Sequence, residues 1–246
     1  LEHVFFSDDG STAVEAALKM AFQYWQQRHD PRPEKTSYIA LVDAYHGDTL
    51  GSVSVGGMAQ FHDLFGPLLF ETIHVPAPNP YRLPDGVSVD DCLEYHLDLM
   101  ERTLSEHHRR IAAMVMEPLV QGAAGIVVHP PGYLAGVREL TRRYDVLLIA
   151  DEVAVGFGRT GKMFACQHED VSPDFLCLAK GITGGYLPLA ATLTTGQIHE
   201  AFLAPHAEMK AFFHGHTYSG NPLAAAVALA SLDVFEEEQT LARLGP

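Results

Sequence analysis

The feature of this chain that most constrains its fold is the regular alternation of short apolar runs with amphipathic stretches. Six runs are rich in β-branched or wholly apolar residues and predict buried strands, at residues 4–6, 38–42, 111–116, 146–150, 175–178 and 189–194. Five longer stretches predict helices, at residues 12–28, 89–107, 133–144, 197–203 and 224–237. Strands that alternate with helices indicate an α/β fold with a mainly parallel central sheet and helices on both faces.

Composition narrows the class of protein further. Hydrophobic residues make up 47% of the 246 residues and charged residues 19%, which excludes a disordered chain. The net charge of −15 argues against binding to nucleic acid or to an anionic membrane, and no apolar run is long enough to span a bilayer. The three cysteines form no CxxC pair, so we expect a reducing cytoplasm as the location. Four prolines within residues 76–84 predict a surface loop there.

Ligands of open α/β sheets bind beyond the carboxyl ends of the strands, so the residues that follow each predicted strand are candidates for a site. Gly10 follows the first strand and permits close approach of the backbone. Ser11 and Thr12 come at the first turn of the next helix, where free N–H groups favour an anion; an ordinary helix cap has the same pattern. Tyr45, His46 and Asp48 follow the second strand. They suit stacking on a flat ring with polar recognition, or a simple turn around a core tyrosine.

Three charged residues end the next apolar runs. Glu117 follows residues 111–116 and either points into the crevice or pairs with a base. Asp151 follows a fully apolar run and is expensive to bury without a cationic or hydrogen-bonded partner, such as a protonated pyridine, a lysine or a metal. Lys180 is followed directly by glycine, and it is either a surface lysine or an amine suited to Schiff-base chemistry.

Two further patterns are weak on their own. Residues 156–162 match both GxGxxG and GxxxxGK, but no crossover helix is predicted after them and Met163 stands where a phosphate-binding loop has serine or threonine. A nucleotide-binding module that uses these residues is therefore a minor alternative. His214 and His216 form a His-x-His pair without a predicted third ligand, so we expect no metal site.

Taken together and in this order, these segments resemble class III pyridoxal-phosphate aminotransferases. The resemblance rests on residues 148–153 with Asp151, the loop 156–161 and residues 178–181 with Lys180, and it covers essentially the whole chain. Residues 45–49, 177–185, 189–195 and 214–222 are most similar to family members that act in biotin biosynthesis. The family implies a PLP-dependent transferase fold of type I and pyridoxal 5′-phosphate as cofactor.

The resemblance implies a role for each matching residue. It implies that Lys180 binds the cofactor and carries a proton, that Asp151 pairs with the pyridinium nitrogen, and that Tyr45 stacks on the ring. The expected catalytic residues are Lys180, Asp151 and Tyr45; the expected cofactor-binding residues are Gly10, Ser11, Tyr45, His46, Glu117, Asp151, Val153, Lys180, His216 and Thr217; the expected substrate-binding residues are Tyr45, Asp48, Arg159, Lys180 and Gly215.

The resemblance also implies what lies around this chain. Residues 1–246 are expected to form an incomplete cofactor-binding large domain, without the family's N-terminal segment and C-terminal small domain, and to be inactive when isolated. Residues 1–6 read as the middle of a buried strand. Thr217 and His216 are expected to reach the phosphate of the neighbouring subunit's cofactor, which implies a homodimer that acts on small molecules.

Alternatives remain open for the amino donor and for the reaction. His216 stands where some family members that use S-adenosylmethionine carry proline, so the donor is either S-adenosylmethionine or lysine. Another class III enzyme acting on an ω-amino acid, acetylornithine or a diamine would share Lys180 and Asp151. An aminomutase or racemase would keep the lysine, and a catalytically silent binding protein would tolerate its loss.

Overall fold

A seven-stranded sheet organises the computed structural model, which describes residues 1–244. The spatial order is β1-β9-β8-β7-β4-β2-β3, and a separate hairpin pairs β5 with β6. The strands are β1 (His3–Ser7), β2 (Ser37–Leu41), β3 (Thr72–Val75), β4 (Ile111–Met116), β5 (Val120–Gln121), β6 (Val127–Val128), β7 (Leu147–Asp151), β8 (Phe175–Leu178) and β9 (Ala190–Thr194). Neighbours from β3 to β8 are parallel, whereas β9 runs antiparallel to both β8 and β1. The predicted mainly parallel α/β sheet is confirmed.

Helices cover both faces of this sheet, as the alternation predicts. They are α1 (Gly10–Gln27), α2 (Leu50–Val55), α3 (Ala59–His62), α4 (Cys92–His107), α5 (Tyr133–Arg143), α6 (Gly196–Glu200), α7 (Pro222–Glu237) and α8 (Thr240–Arg243). Short 3-10 helices occupy Asp63–Leu68, Ala165–Glu169, Lys180–Thr183 and His206–Glu208. In β2, Tyr38 and Ala40 join the core cluster under α1, whereas Ile39 and Leu41 join the cluster under α4 and α5. Since successive strand residues point to opposite faces, both faces are packed.

Helix α1 begins at the carboxyl end of β1 because its N-terminus is capped. The Asp9 side chain accepts the N–H of Thr12 at 2.9 Å, and the Thr12 hydroxyl accepts the N–H of Asp9 at 3.0 Å. These two hydrogen bonds provide an acceptor for the N–H of Thr12, which has none within the helix, and for the N–H of Asp9, which precedes the helix. Further along, Trp25 donates its indole N–H to the carbonyl of Ala112 at 2.9 Å and fixes α1 on β4. The first turn of α1 is thereby held at the edge of the sheet where the parallel strands end.

The expectation that residues 1–6 form the middle of a buried strand is wrong. Strand β1 lies at the edge of the sheet and pairs only with β9. Val4 is 53% exposed and Phe6 39% exposed, while Phe5 on the opposite face packs against the core under α1. Apolar residues on both faces usually indicate burial on both sides, and here one face is open within residues 1–244.

Several short elements were absent from the prediction. Strand β3 contains Thr72 and His74 and lacks a clear apolar pattern, and β5 and β6 have two residues each. Helix α2 has six residues, of which two are valines and two are serines, so its sequence favours neither helix nor strand. Residues 76–84 contain no helix or strand, which confirms the predicted loop.

Cys92, Cys166 and Cys177 are buried and free. No helix within residues 1–244 combines the length and hydropathy that a membrane crossing requires.

Candidate active site

A cavity of about 920 Å³ lies at the edge of the sheet where the parallel strands end. Segments that follow β1, β2, β4, β7 and β8 contribute its lining, as expected for an open α/β sheet. Nine of the predicted site residues line it: Gly10, Ser11, Tyr45, His46, Asp48, Glu117, Asp151, Val153 and Lys180. The structure therefore brings together residues that are as far as 170 positions apart in the sequence (180 − 10 = 170).

The first turn of α1 forms one wall. Gly10 and Ser11 are its first two residues, and their backbone N–H groups have no acceptor within the helix. This end of the helix also carries the positive end of the helix dipole, so the wall favours an anion. Glycine is required here because a Cβ at position 10 would lie 2.5 Å from Cγ1 of Val153.

A buried pair of Asp151 and His46 forms the floor. Asp151 is the last residue of β7, and its Oδ2 lies 2.8 Å from Nδ1 of His46. Its Oδ1 accepts the backbone N–H of Val153 at 3.0 Å. The hydrogen-bonded partner that the sequence demands for Asp151 is thus His46, and Nε2 of His46 is buried without a partner in the described part of the chain. Both carboxylate oxygens are bound, which fixes the orientation of Asp151 toward the cavity.

Glu117 follows β4 and points toward the cavity instead of pairing with a base. Its Oε2 accepts the N–H of Gly122 at 2.9 Å, whereas Oε1 is buried and has no protein partner within residues 1–244. Burial raises the pKa of Glu117 and Asp151 raises it further, whereas His46 and the backbone N–H groups of Gly122 and Tyr45 lower it. Since Oε1 has no hydrogen bond of good geometry among the described residues, it is available to a bound molecule.

Tyr45 and Asp48 lie together on the loop after β2. The Tyr45 hydroxyl donates to Oδ2 of Asp48 at 2.8 Å. Burial, followed by this hydrogen bond and the Asp48 charge, raises the pKa of Tyr45 to about 12. The phenol is therefore neutral at physiological pH and presents an aromatic ring with one end fixed by Asp48.

Lys180 begins the 3-10 helix Lys180–Thr183 directly after β8 and reaches the cavity. Its φ is +44°, a left-handed conformation that costs a non-glycine residue of order 1–3 kcal/mol and is concentrated at functional sites. The next residue, Gly181, packs against Phe157 so closely that a Cβ there would lie 2.7 Å from the Cβ of Phe157. The backbone around Lys180 is thus fixed by packing on the 156–162 loop.

Four predicted residues lie outside the cavity. Arg159 is exposed on the 156–162 loop, and Gly215 and Thr217 are exposed on the segment before α7. His216 places Nδ1 2.6 Å from Oδ2 of Asp8, and Asp8 lines the cavity, so His216 is close to its rim. The roles expected for these four residues, like those of the nine that line the cavity, stay predictions.

The two weaker patterns are also located. The 156–162 segment forms turns and leads into the 3-10 helix Ala165–Glu169, so the helix that a nucleotide-binding loop needs is absent from this place in the described chain. Lys162 donates to the carbonyl of Gln167 at 2.8 Å. His214 and His216 have different partners, since Nδ1 of His214 lies 2.9 Å from Nζ of Lys19.

Sequence reasoning missed one wall of the cavity. Thr183 and Tyr186–Leu189 line it, together with Gly185. Gly184 and Gly185 both have positive φ and turn the chain toward the cavity. The glycine pair after Lys180 is visible in the sequence and could have indicated this turn.

Comparisons with known proteins show which family and which solved structures this chain is similar to. The family model described as Aminotransferase class-III matches residues 1–244. The adenosylmethionine-8-amino-7-oxononanoate aminotransferase of Nitratidesulfovibrio vulgaris is 58% identical over the whole chain, which covers 45% of that protein. The crystal structure of the enzyme of that name from Methanocaldococcus jannaschii matches with TM-score 0.89 and 44% identity, over 99% of this chain and 53% of that one.

An amine transaminase from an uncultivated Pseudomonas species, solved in its PLP-bound form, is also similar. It matches with TM-score 0.88 and 43% identity, over 96% of this chain and 53% of that one. The chain spans about half the length of the curated relatives it matches.

Proposed function

Because this chain belongs to the class-III aminotransferase family, we propose that it carries the cofactor site of an enzyme that transfers an amino group to 8-amino-7-oxononanoate. The product is 7,8-diaminononanoate, an intermediate of biotin biosynthesis, and the cofactor is pyridoxal 5′-phosphate. The observation that carries this proposal is the convergence of Lys180, the Asp151–His46 pair and the first turn of α1 on one cavity. The 58% identical relative from N. vulgaris supports the substrate.

The residues present fit this cofactor. The first turn of α1 offers free N–H groups for a phosphate, and the close approach of Gly10 to Val153 leaves no space for a side chain there. The unpartnered Oε1 of Glu117 and the buried carboxylate of Asp151 face the same cavity. These groups match the phosphate and polar ring atoms of a pyridoxal phosphate.

When bound, pyridoxal phosphate supplies an electron sink that stabilises negative charge on the substrate carbon. Asp151 holds a proton on the ring nitrogen through its carboxylate, and His46 fixes the orientation of that carboxylate at 2.8 Å. Lys180 supplies the primary amine that holds the cofactor and moves the proton at the substrate carbon. Tyr45 and Val153 both line the cavity, and they would contact the two faces of the cofactor ring.

The amino donor is S-adenosylmethionine or lysine, as the sequence leaves open. Asp48 and Arg159 are the residues proposed to contact the donor, and Gly215 is proposed to contact the keto substrate; Arg159 and Gly215 lie outside the cavity. Asp48 lines the cavity and holds the Tyr45 hydroxyl, so it is in reach of a cationic donor. Since S-adenosylmethionine and lysine both carry positive charge, the carboxylate itself does not separate them.

The active assembly is proposed to be a homodimer in the cytoplasm. Thr217 and His216 lie on an exposed segment beside Asp8 at the cavity rim, from which they would contact the neighbouring subunit's cofactor phosphate. Three free, buried cysteines are consistent with a reducing compartment. The large-domain assignment for residues 1–246 is part of the same proposal.

A second candidate is amine transamination of another substrate class. It is favoured by the 43% identity and TM-score of 0.88 to an amine transaminase. In that case Lys180 and Asp151 keep their roles, and an ω-amino acid, acetylornithine or a diamine replaces the biotin precursor.

The test is a visible absorption spectrum of the full-length protein that contains this chain, with added pyridoxal phosphate. S-adenosylmethionine, lysine, an ω-amino acid and a diamine are then added to separate samples. We expect a band near about 410–430 nm, the usual range for a lysine-bound pyridoxal. One donor should bleach it, and 8-amino-7-oxononanoate should then restore it. No band would overturn the proposal, and bleaching by neither donor but by an ω-amino acid or diamine would favour the second candidate.

A further inference from the structure

The loop that carries Tyr45 lies directly on the first turns of α1, and two glycines make this contact possible. Gly47 has φ +121°, and a Cβ there would lie 2.7 Å from the Cα of Ser11. A Cβ at Gly51 would lie 2.5 Å from both carboxylate oxygens of Glu15. The backbone of the loop is therefore in contact with one face of α1 at two places, one next to the cavity and one behind it.

A chain of hydrogen bonds runs along this contact and ends at a carboxylate. The Ser11 hydroxyl donates to Oγ1 of Thr49 at 2.9 Å and accepts the N–H of Thr49 at 2.9 Å. The Thr49 hydroxyl in turn donates to Oε2 of Glu15 at 2.6 Å. The same oxygen accepts the N–H groups of Gly51 at 2.9 Å and Ser52 at 3.3 Å, at the start of α2. One carboxylate thus joins α1, the Tyr45 loop and α2.

Glu15 is not among the residues that line the cavity in the described chain, so it makes no direct contact with a molecule bound there. Its donors are backbone amides at a helix start and a hydroxyl, which are favourable partners for a carboxylate and hold it in one orientation. Thr49, which donates to Glu15, and Ser11, which is bound to Thr49, both line the cavity. Tyr45 and Asp48, on the same loop as Thr49, line it too.

We propose that Glu15 is a positioning residue that fixes the Tyr45 loop relative to the anion-binding turn of α1. Through Thr49 it sets where the Tyr45 ring and the Asp48 carboxylate stand with respect to Ser11. This inference rests on the proposed function, because the groups positioned are those that would hold pyridoxal phosphate and the amino donor.

The proposal predicts an effect opposite in sign to that of charge alone. Glu15→Gln removes a negative charge close to the anion-binding turn. The loss of Coulomb repulsion between this charge and a phosphate would, on its own, strengthen phosphate binding. Positioning predicts weaker binding, because glutamine keeps one acceptor oxygen but loses the charged hydrogen bond from Thr49. The sign of the change in cofactor affinity therefore separates the two explanations.

The experiment uses the full-length protein that contains this chain. It compares Glu15→Gln, Thr49→Val and the double variant with the wild type. Glu139→Gln is the matched control, since Glu139 is an exposed carboxylate on α5 in an ion pair with Arg143. Two quantities are measured: the dissociation constant of pyridoxal phosphate, and hydrogen exchange of residues 44–56 in the cofactor-free protein. The second readout needs no activity and shows whether the loop loosens.

We expect Glu15→Gln to raise the dissociation constant about tenfold, as loss of one charged hydrogen bond implies, and to accelerate exchange in residues 44–56. Thr49→Val should have a similar effect, and the double variant should be no worse than the worse single one, since both cut the same link. An unchanged or lower dissociation constant, or fully additive effects, would overturn the positioning role. If the wild type binds no pyridoxal phosphate, the proposed function fails with it; if it binds and Glu15→Gln behaves like Glu139→Gln, only this inference fails.

Discussion

Replacement of Gly10 by alanine tests the closest contact in the cavity wall. The added Cβ would lie 2.5 Å from Cγ1 and 3.0 Å from Cγ2 of Val153, whereas carbon atoms normally stay about 3.5–4.0 Å apart. Either the first turn of α1 or Val153 must move by several tenths of an ångström or more. Movement of the Val153 backbone would also reach the carboxylate of Asp151, because the Val153 N–H is bound to it at 3.0 Å.

The magnitude follows from the cost of overpacking, which is about 1–3 kcal/mol for a methyl group forced into a filled space. The shifted wall no longer matches the cofactor, and moving it back on binding costs up to this free energy, which weakens pyridoxal phosphate binding by up to roughly 5- to 150-fold. The assay is titration of the full-length protein that contains this chain with pyridoxal phosphate, followed by absorption in the visible range. Gly66→Ala is the control, because a Cβ at position 66 meets no atom within 4 Å.

A compensating substitution makes the reasoning refutable. Val153→Ala removes both methyl groups that the new Cβ would strike, so the Gly10→Ala, Val153→Ala double variant should recover affinity relative to Gly10→Ala alone. Wild-type affinity in Gly10→Ala, or no recovery in the double variant, would refute the steric account of this wall.

Three further predictions concern catalysis and stability. Asp151→Asn removes the charge held by His46 and should lower kcat about 10²–10³-fold without loss of the fold, which steady-state kinetics and circular dichroism would check. Arg138→Ala leaves Asp174 without its two-point partner at 2.6 and 3.0 Å and should lower the free energy of unfolding by about 3 kcal/mol in urea titrations; a change under about 1 kcal/mol would contradict this. Burial lowers the pKa of Lys35 to about 8 from 10.5, so the unfolded chain binds more protons between these values and stability should rise across that range relative to Lys35→Met. Parallel pH profiles of the two proteins would contradict that assignment.

The sequence predicts the sheet well where strands are central. The boundaries of β4 and β8 are those expected, because Ile111–Met116 and Phe175–Leu178 are apolar on both faces and every residue in them is buried. The edge strand β1 has the same kind of composition, yet Val4 and Phe6 are exposed. Apolar composition indicates which strands can be buried. Whether a strand is buried on both faces depends on its position in the sheet, which the local sequence does not determine.

Nine of the residues that line the cavity were predictable from the sequence, but the contacts between them were not. Asp151 and Lys180 are recognisable because charged residues end apolar strands, and the carboxyl-edge rule brings both to one place. The partner of Asp151 is His46, which lies 105 positions earlier (151 − 46 = 105), and no local pattern indicates that contact. The Gly10–Val153 contact and the Glu15–Thr49 bond are equally non-local.

The central claim is that Lys180 is the lysine that holds pyridoxal phosphate. The most direct test loads the full-length protein that contains this chain with pyridoxal phosphate and reduces it with borohydride. Mass spectrometry of the peptides then shows which lysine is labelled. The account predicts one pyridoxyl phosphate on the peptide that contains Lys180 and none on that peptide in Lys180→Ala. Labelling of Lys35 or Lys162 instead, or no labelling of the wild type, would contradict it.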